Sequence, residues 1–414
     1  MLETAEPDGV DPPLSWPLKR RCPLDPPPEL GEVRRASGVA KVKLYDGNVA
    51  LMFTRYDAIR QVLQDRTVSS DGTNAGFPTP SAVLAIQRSS PNRSFPRMDP
   101  PEHTRLRRFL QSHFTAGKAR EQQGAIEGIV DDLLDDMVGS GSPVDLVSSF
   151  AHPLPARVTC DLLGLPPEDS HFLDDRISRR ARTDLPSAEM SEIVDELVDY
   201  FSQVVARRRE ASSSGQLGSG NDDLISQLLP HVAAGALEVD ELERMLMILL
   251  AGGYETAANM ISLGVIALLS HPDQLAELMA DASLWPRAVE ELLRYLSVAH
   301  QEGLRLATQD MSVAGCPVHA GEGLIVPVMA ANRDSDVFPN PDELDIHRDS
   351  RAHLAFGGGI HACIGMSLAR VELQCAFSRL FARLPGLRLE VDLDELKFVE
   401  SALIYGVSEL PVAW

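Results

Sequence analysis

The residue with the clearest chemical potential is Cys363, in the glycine-dense segment FGGGIHACIG at positions 356–365. A helical pattern follows directly, from Met366 to Arg383. The first turn of a helix presents free N–H groups and the positive end of the helix dipole, and both stabilise a nearby anion. We therefore expect Cys363 to be a thiolate, the form of cysteine that binds metals. The alternative is a buried structural cysteine in a glycine-rich turn.

A second candidate lies in a long apolar helical pattern over residues 239–270, which contains the letters GGYET at 252–256. Glycines leave room beside a helix, and an acid next to a hydroxyl can pass protons to a neighbouring group. An isolated match of this kind also describes a glycine-weakened helix with an incidental Glu-Thr pair. Glu255 and Thr256 are the candidate catalytic residues.

Two charge patterns accompany these segments. His103 and Arg107 lie four apart in DPPEHTRLR at 99–107, so a helix would place them on one face. Glu291 and Arg294 lie three apart and could pair in the same way. By itself such a pair is most often an exposed surface contact of little energetic weight.

Together these segments resemble the cytochrome P-450 family. Residues 356–365 match its F-G-x-G-x-H-x-C-x-G loop, and 252–256 match its glycine, acid and threonine helix motif. The segments NRD at 332–334 and FPNPD at 338–342 resemble those that separate the family's E-x-x-R pair from its cysteine loop. The resemblance predicts a mainly α protein with small β-sheets, the cytochrome P-450 fold, in a single domain of residues 1–414.

The resemblance also implies a haem b cofactor (iron protoporphyrin IX), with Cys363 as the metal ligand. A thiolate ligand gives electron density to the iron and promotes O–O cleavage. Arginine suits carboxylates such as the two haem propionates. By resemblance the cofactor-binding residues are His103, Arg107, Arg305, His353, Phe356, His361, Cys363 and Gly365. Glu255 and Thr256 would supply protons on the distal face of the haem.

The same resemblance makes Glu291 and Arg294 structural, with Arg348 as a third partner. Tyr254 stands where histidine is commoner, and the sequence does not predict its effect. Leu344 stands where the family usually has phenylalanine, a departure that bears on local packing rather than on the chemistry.

The implied reaction is that of a monooxygenase, which inserts one atom of O₂ into a small organic substrate by hydroxylation or epoxidation. A secondary metabolite is the expected substrate. Nitric oxide reduction and peroxide-driven oxidation are alternatives within the family, although the acid and alcohol pair is typically altered in those enzymes. A non-catalytic haem-based sensor is a more distant alternative, since no signalling segment is visible.

The chain shows no cysteine cluster for an iron–sulfur centre and no G-x-G-x-x-G after a strand. Electrons from NAD(P)H are therefore expected through separate chains, a ferredoxin and a ferredoxin reductase. Basic residues near the cysteine side of the haem are the expected docking surface: Arg105, Arg108 and Arg370.

Composition excludes other classes. The net charge of −22 argues against nucleic acid or an anionic membrane as the principal partner. The five cysteines are widely spaced, which favours neither a disulfide framework nor a zinc site. The N-terminus carries acids and prolines where a signal peptide needs a basic start and an apolar run. We expect a cytoplasmic, monomeric protein without a membrane span.

Periodicity predicts helices and a few strands. A hairpin is expected around Asp46-Gly47, with strands at 41–45 and 49–54. Residues 1–30 are proline-rich and expected on the surface, 69–92 read as a long loop, and 211–221 as a flexible surface loop. Further strands are expected at 311–318 and 323–328, with an irregular β tail at 386–413. The expected helices are 28–36, 56–64, 101–113, 116–139, 146–163, 167–182, 187–212, 222–229, 239–270, 272–280, 284–296 and 366–383.

Overall fold

The computed structural model of the chain describes residues 13–82, 84–85, 93–180, 182–214, 223–301 and 303–414. Most of the described chain is helical. The helices are α1 (Pro28–Ala36), α2 (Tyr56–Gln64), α3 (Glu102–Gln111), α4 (Ala116–Glu121), α5 (Gln123–Ser140), α6 (Pro153–Leu163), α7 (Ser170–Arg180), α8 (Ser187–Ser213), α9 (Leu224–Ala233), α10 (Val239–Leu269), α11 (Pro272–Ala280), α12 (Trp285–Leu296), α13 (Val328–Asn332) and α14 (Met366–Arg383).

The strands are short. They are β1 (Leu14–Ser15), β2 (Val39–Lys43), β3 (Val49–Phe53), β4 (Val68–Ser69), β5 (Val144–Asp145), β6 (Leu304–Ala307), β7 (Met311–Val313), β8 (Cys316–Val318), β9 (Gly323–Ile325), β10 (Arg388–Leu389), β11 (Phe398–Val399), β12 (Gly406–Val407) and β13 (Pro411–Ala413). Among the described residues one sheet has six strands in the order β1-β2-β3-β9-β6-β4, and the other sheets have two or three.

The predicted mainly helical class is confirmed, and the differences have local causes. The helix expected over 146–163 begins as a π-helical turn at Val147–Ala151 and continues as α6 from Pro153. Proline has no N–H to donate to the preceding turn and suits the first position of a helix. The strand expected over 311–318 is a hairpin, because Ala314 and Gly315 both adopt positive φ and turn the chain.

Two further expectations need correction. The N-terminal segment does not simply cover the surface from residue 14 onwards, because β1 pairs with β2 and both Trp16 and Leu18 are buried. The flexible loop expected at 211–221 begins later, because α8 continues to Ser213. Residues 215–222, and those at 83 and 86–92 in the expected long loop, lie outside the described residues.

Helix α10 runs through the core. A capping box, formed by the side chains of Glu238 and Glu241, defines its N-terminus. Among the described residues α10 is the one helix long and apolar enough to cross a membrane, but 67% of its most apolar stretch is buried within the fold. It packs against α6, α8 and α14, and it is therefore the central helix of the core.

Glu291 and Arg294 on α12 form a buried ion pair, not the exposed surface pair that is usual for this spacing. Nε and Nη2 of Arg294 each lie 2.7 Å from an oxygen of Glu291, and both side chains are 0% exposed. Nε of Arg348 lies 3.1 Å from Oε1 of Glu291, so the predicted third partner is confirmed. Leu344 is buried in the core cluster that includes α12, so the fold accommodates this departure.

Close contact between α10 and α14 gives a first prediction. A Cβ at Gly264 would lie 2.3 Å from Cζ of Phe377, whose side chain is fully buried. We expect Gly264→Ala to lower the free energy of unfolding by about 1–3 kcal/mol through overpacking. Urea denaturation of the haem-loaded protein, followed by circular dichroism, measures the effect.

Gly128→Ala is the matched control, because Gly128 lies on the exposed side of α5 with no atom within 4 Å of its Cβ position. Alanine has the higher helix propensity, so this change should raise the free energy of unfolding by about 0.5–1 kcal/mol. A Gly264→Ala protein that unfolds at the wild-type urea concentration would contradict the predicted contact.

Candidate functional site

A cavity of about 410 Å³ lies between α10 and the cysteine loop. Gly252, Gly253 and Thr256 line it from α10, and residues 355–357 and 361–365 line it from the loop. Most of the remaining lining is apolar, including Phe95, Phe114, Leu249, Met260, Leu293 and Val298. Volume and lining are typical of a site for a small organic molecule or cofactor.

The cysteine loop is held by backbone contacts. The N–H of Cys363 donates to the carbonyl of Phe356 (2.9 Å), which closes the loop before α14 begins. Gly359 has φ +65°, and a Cβ there would lie 2.1 Å from the carbonyl oxygen of Leu63. Glycine is therefore needed at position 359 for the loop to pack this closely against α2.

The protein alone does not make Cys363 the low-pKa thiol that the helix terminus predicted. Burial raises the pKa of Cys363, and this effect outweighs the hydrogen bond from Gly365 and the nearby charges of Arg107 and Arg370, which lower it. The side chain nevertheless retains accessible surface on the cavity that it lines. A bound metal would deprotonate the thiol directly, so the charge that favours thiolate would come from the ligand.

Four nitrogen-bearing side chains converge beside this loop. The rings of His103 and His361 lie 4.3 Å apart. Burial, with the charges of Arg305 and Arg107, lowers the pKa of His361 to about 3. Burial and the charge of Arg107 lower the pKa of His103. Arg107 Nη2 also donates to the carbonyl of Ala362 (2.6 Å).

Buried nitrogens in this cluster have no hydrogen-bond partner: both ring nitrogens of His103 and Nδ1 of His361. A buried polar group without a partner costs about 1–3 kcal/mol. Within the described part of the chain no carboxylate forms a hydrogen bond or ion pair with either histidine, and the contact of Arg107 is to a backbone carbonyl. The cluster therefore fits a ligand that brings carboxylates, as haem does with its propionates.

His353 is placed differently. Like His103, it does not line the cavity, but unlike His103 its nitrogens have partners. Its Nε2 lies 3.1 Å from Glu290, and its Nδ1 accepts the N–H of Ala355 (3.1 Å). Its role as a propionate ligand stays a prediction. Phe356 lines the cavity and lies under the guanidinium of Arg370 (4.7 Å to the ring centroid).

The two predicted catalytic residues, Glu255 and Thr256, lie on different sides of α10. Thr256 lines the cavity, and its hydroxyl donates to the carbonyl of Gly252 (2.6 Å). Glu255 is buried and is not part of the cavity wall; Asn259 Nδ2 lies 3.3 Å from its carboxylate. Burial raises the pKa of Glu255, and this exceeds the lowering by His152, Ser178 and Asn259.

Comparison with known proteins decides the family. The family model for cytochrome P-450 matches residues 185–385. Pentalenic acid synthase from Streptomyces avermitilis is 42% identical over 407 residues, which is 98% of this chain and 98% of that protein. The chain belongs to the cytochrome P-450 family.

Solved structures agree with this. GfsF, known from Streptomyces halstedii, superposes with a TM-score of 0.89 at 40% identity, over 97% of this chain and 100% of that chain. The mycinamicin VIII methyl hydroxylase MycCI from Micromonospora griseorubida superposes with a TM-score of 0.89 at 35% identity, over 97% of this chain and 100% of that one. The cytochrome P-450 fold is thus confirmed, and the family's haem and monooxygenase activity apply to this chain.

Sequence reasoning missed residues that this cytochrome P-450 places at or near the site. Glu372 on α14 lines the cavity, and burial raises its pKa to about 8.

His152 and Asp174 contact Tyr254 on the side of α10 away from the cavity wall. The sequence gives no signal for this meeting, because each residue comes from a different helix or helix terminus.

The three arginines of the expected docking surface for an electron donor differ in how far their charges are already paired. Arg105 pairs with Glu241, and Arg370 pairs with Glu290 (Nη2 to Oε2, 2.9 Å). Arg108 is exposed, and within the described part of the chain it forms no ion pair with a carboxylate. Of the three arginines, Arg108 has the charge most available to a partner.

Arg107 and Arg305 generate a second prediction. If they bind propionates, Arg107→Ala and Arg305→Ala should each release haem about ten- to a hundredfold faster, because a charge-assisted hydrogen bond contributes about 1.5–3 kcal/mol. Transfer of haem to excess apomyoglobin measures the rate. Arg108→Ala is the control, since Arg108 is exposed on the same helix as Arg107. Wild-type release rates in both variants would contradict the assignment.

Proposed function

We propose that this cytochrome P-450 monooxygenase hydroxylates or epoxidises a small, largely apolar secondary metabolite. The observation that carries the proposal is the single cavity wall that joins Cys363 on one side to Thr256 on the other. Apolar residues make up most of the lining of the cavity between them. The relatives support the substrate class, because one is a pentalenic acid synthase and another is a mycinamicin methyl hydroxylase bound to mycinamicin VIII.

The proposed cofactor is haem b, held by side chains that line the cavity or lie beside it. Cys363 would bind the iron, and His103, Arg107, Arg305 and His361 would bind the propionates. Bound haem supplies the activation of O₂ by two electrons, so that one oxygen atom enters the substrate and the other leaves as water.

The chain's own residues then manage substrate and protons. The apolar wall binds the substrate and excludes water from the site. Thr256 would hold a proton at Oγ1 within the cavity, where this hydroxyl can donate a hydrogen bond to a reacting group. Glu255, next to it in the chain, is the proposed source that replaces this proton. Its raised pKa keeps a larger fraction of the carboxyl protonated than in water.

Electrons are proposed to come from NAD(P)H through a separate ferredoxin and its reductase. Arg108 is the proposed centre of the docking surface, and Arg105 and Arg370 would contribute after exchange of their present partners. An acidic ferredoxin would be steered there over the otherwise acidic chain, with a rate that falls as salt rises. We further propose a cytoplasmic monomer, folded as a single domain.

The proposed function is tested first at the metal. The reduced protein with carbon monoxide should show the long-wavelength band that gives the family its name, and Cys363→Ser should abolish it. Cys22→Ser is the control, because Cys22 is exposed and is not among the cavity residues. A Cys363→Ser protein that keeps the band would contradict the metal ligand.

Substrates are then found by their shift of the haem absorption band. With ¹⁸O₂, NAD(P)H, ferredoxin and reductase, we expect one labelled oxygen in the product and one in water. Nitric oxide reduction directly from NAD(P)H, or product formation from peroxide alone at the full rate, would instead support the two alternative activities. A protein that binds haem and turns over none of these would support the sensor.

A further prediction separates the acid from the alcohol. Thr256→Ala should keep haem and substrate binding but consume more NAD(P)H per product, because the proton at Oγ1 is lost and reduced oxygen escapes as peroxide. Glu255→Gln should slow turnover about 10²-fold or more, because it retains the shape but not the acid. Peroxide release and product formation, measured together, check both. Unchanged coupling and rate in both variants would remove the pair from the mechanism.

A further inference from the structure

The lining of the cavity contains two polar side chains to which the proposed function gives no part. Among the described residues that line it, the polar ones are proposed haem ligands, Thr256, Glu372 and Thr159. Glu372 is on α14, which begins just after the cysteine loop and so lies on the side proposed to hold the iron. Thr159 is on α6, which packs against α10, the helix that carries Thr256. Thr159 is therefore the polar group that remains for a substrate.

Thr159 lies where α6 and α10 approach each other most closely along the cavity wall. A Cβ at Gly253 would lie 3.0 Å from Oγ1 of Thr159 and 3.9 Å from its Cγ2, so the hydroxyl packs directly against this glycine. Gly253 comes three residues before Thr256, and residues three apart share a face of a helix. The hydroxyl of Thr159 is therefore about one helical turn from Thr256 along α10.

The hydroxyl of Thr159 is not used by its own helix. Serine and threonine inside helices often donate to the carbonyl four residues earlier, as Thr256 does to Gly252 (2.6 Å) and Ser262 does to Ala258 (3.0 Å). Within the described part of the chain, Oγ1 of Thr159 forms no hydrogen bond, yet it is not sealed inside the protein, because the residue lines the cavity. Its proton is therefore free for a molecule in the cavity.

The surroundings of this hydroxyl are apolar. Leu162, three residues later on the same face of α6, lines the cavity beside it, and so do Ile248 and Leu249 on α10. A wholly apolar substrate packed here would shut out water and leave the hydroxyl without a partner, which is unfavourable. A substrate with an oxygen acceptor at this place would avoid that penalty. Sites with such a polar group discriminate strongly against analogues that lack the partner.

We propose that Thr159 is a specificity-determining residue whose hydroxyl donates a hydrogen bond to a carbonyl or ether oxygen of the substrate. This inference rests on the proposed function, because it narrows the substrate class to largely apolar molecules that carry such an oxygen. Because Thr159 and Thr256 are about one helical turn apart, the oxygen that Thr159 holds lies near the carbon that is oxidised.

The test uses two probes of nearly equal shape, adamantanone and methyleneadamantane, in which a CH₂ group replaces the carbonyl oxygen. Their affinities for the haem-loaded protein are measured by the shift of the haem absorption band. We expect Thr159→Val to lower the affinity for the ketone relative to the alkene by about two- to tenfold, the effect of one neutral hydrogen bond. The ratio cancels the difference in hydration between the free probes. Thr159→Ser, which keeps the hydroxyl, should keep the wild-type ratio.

Two further variants serve as controls. Leu162→Ala, on the same face of α6, removes apolar contacts and should weaken both probes by the same factor, so that the ratio stays at the wild-type value. Thr159→Ala tests whether valine disturbs the packing against Gly253, and it should change the ratio as Thr159→Val does. A wild-type ratio in both Thr159→Val and Thr159→Ala would overturn the proposal.

A readout that does not depend on affinity is the carbonyl stretch of bound adamantanone, observed by infrared difference spectroscopy with a ¹³C-labelled carbonyl. A hydrogen bond lowers this frequency, so we expect it lower in wild type and Thr159→Ser than in Thr159→Val. The same frequency in all three proteins would overturn the proposal. A rise in Thr256→Val in place of Thr159→Val would overturn it as well, because the oxygen would then be bound by Thr256.

These measurements need neither O₂ nor electrons, so they separate this inference from the proposed function. A protein that distinguishes the probes through Thr159 but forms no oxygenated product would contradict the proposed function and support the binding role of Thr159. A protein that oxygenates its substrate, with ratio and frequency unchanged in Thr159→Val, would overturn the role of Thr159 alone.

Discussion

The structure around the cysteine loop depends on one buried ion pair, Glu291 with Arg294. Arg294 also donates to the carbonyls of Asn332 (2.8 Å) and Pro341 (2.7 Å), so one guanidinium ties α12 to two later segments. Asn332 in turn accepts the N–H of Leu354 with its side-chain oxygen (2.7 Å), two residues before the loop begins. Removing one partner of such a pair leaves an uncompensated buried charge at about 3–5 kcal/mol. The ion pair on α12 therefore helps to hold the cysteine loop in place through Asn332 and Leu354, although α12 does not itself carry the loop.

The electrostatics of the cavity are incomplete without a ligand. The cluster of His103, His361, Arg107 and Arg305 has nitrogen donors, and three of the histidine nitrogens are unpartnered. Burial also disfavours the charged form of Cys363, and because that form is an anion its pKa is raised. Bound haem would supply both complements, carboxylates for the unpartnered histidine nitrogens and a metal for the sulfur. Because these interactions exist only in the loaded protein, haem binding should contribute directly to folding stability.

Much of this could be predicted from the sequence, and what was missed has a physical reason. Apolar periodicity located α10 and α14, since long helices repeat their signal over many turns. The strand β6, which carries Arg305, was missed because four residues are too few for a pattern, and its pairing partners β4 and β9 are distant in the chain. Similarly, nothing in the sequence brings His152 or Asp174 to Tyr254. Such meetings depend on how α6 and α7 pack on α10.

Helix geometry and the rotation of α10 in the fold together place Glu255 and Thr256 on different sides of the helix. Successive residues of a helix are rotated by about 100°, and neighbours in sequence do not face each other. Thr256 lies in the cavity wall, whereas Glu255 is buried on another side of α10. There Asn259, one turn later, contacts its carboxylate, and the charge of His152 lowers its pKa. Adjacent helical positions can both line the cavity, as Thr256 and Ala257 do, so the side of α10 that Glu255 occupies depends on how the helix is rotated in the fold. The surroundings of Glu255 are therefore set by the elements that pack on that side of the helix, where the neighbouring residue Tyr254 contacts His152 and Asp174.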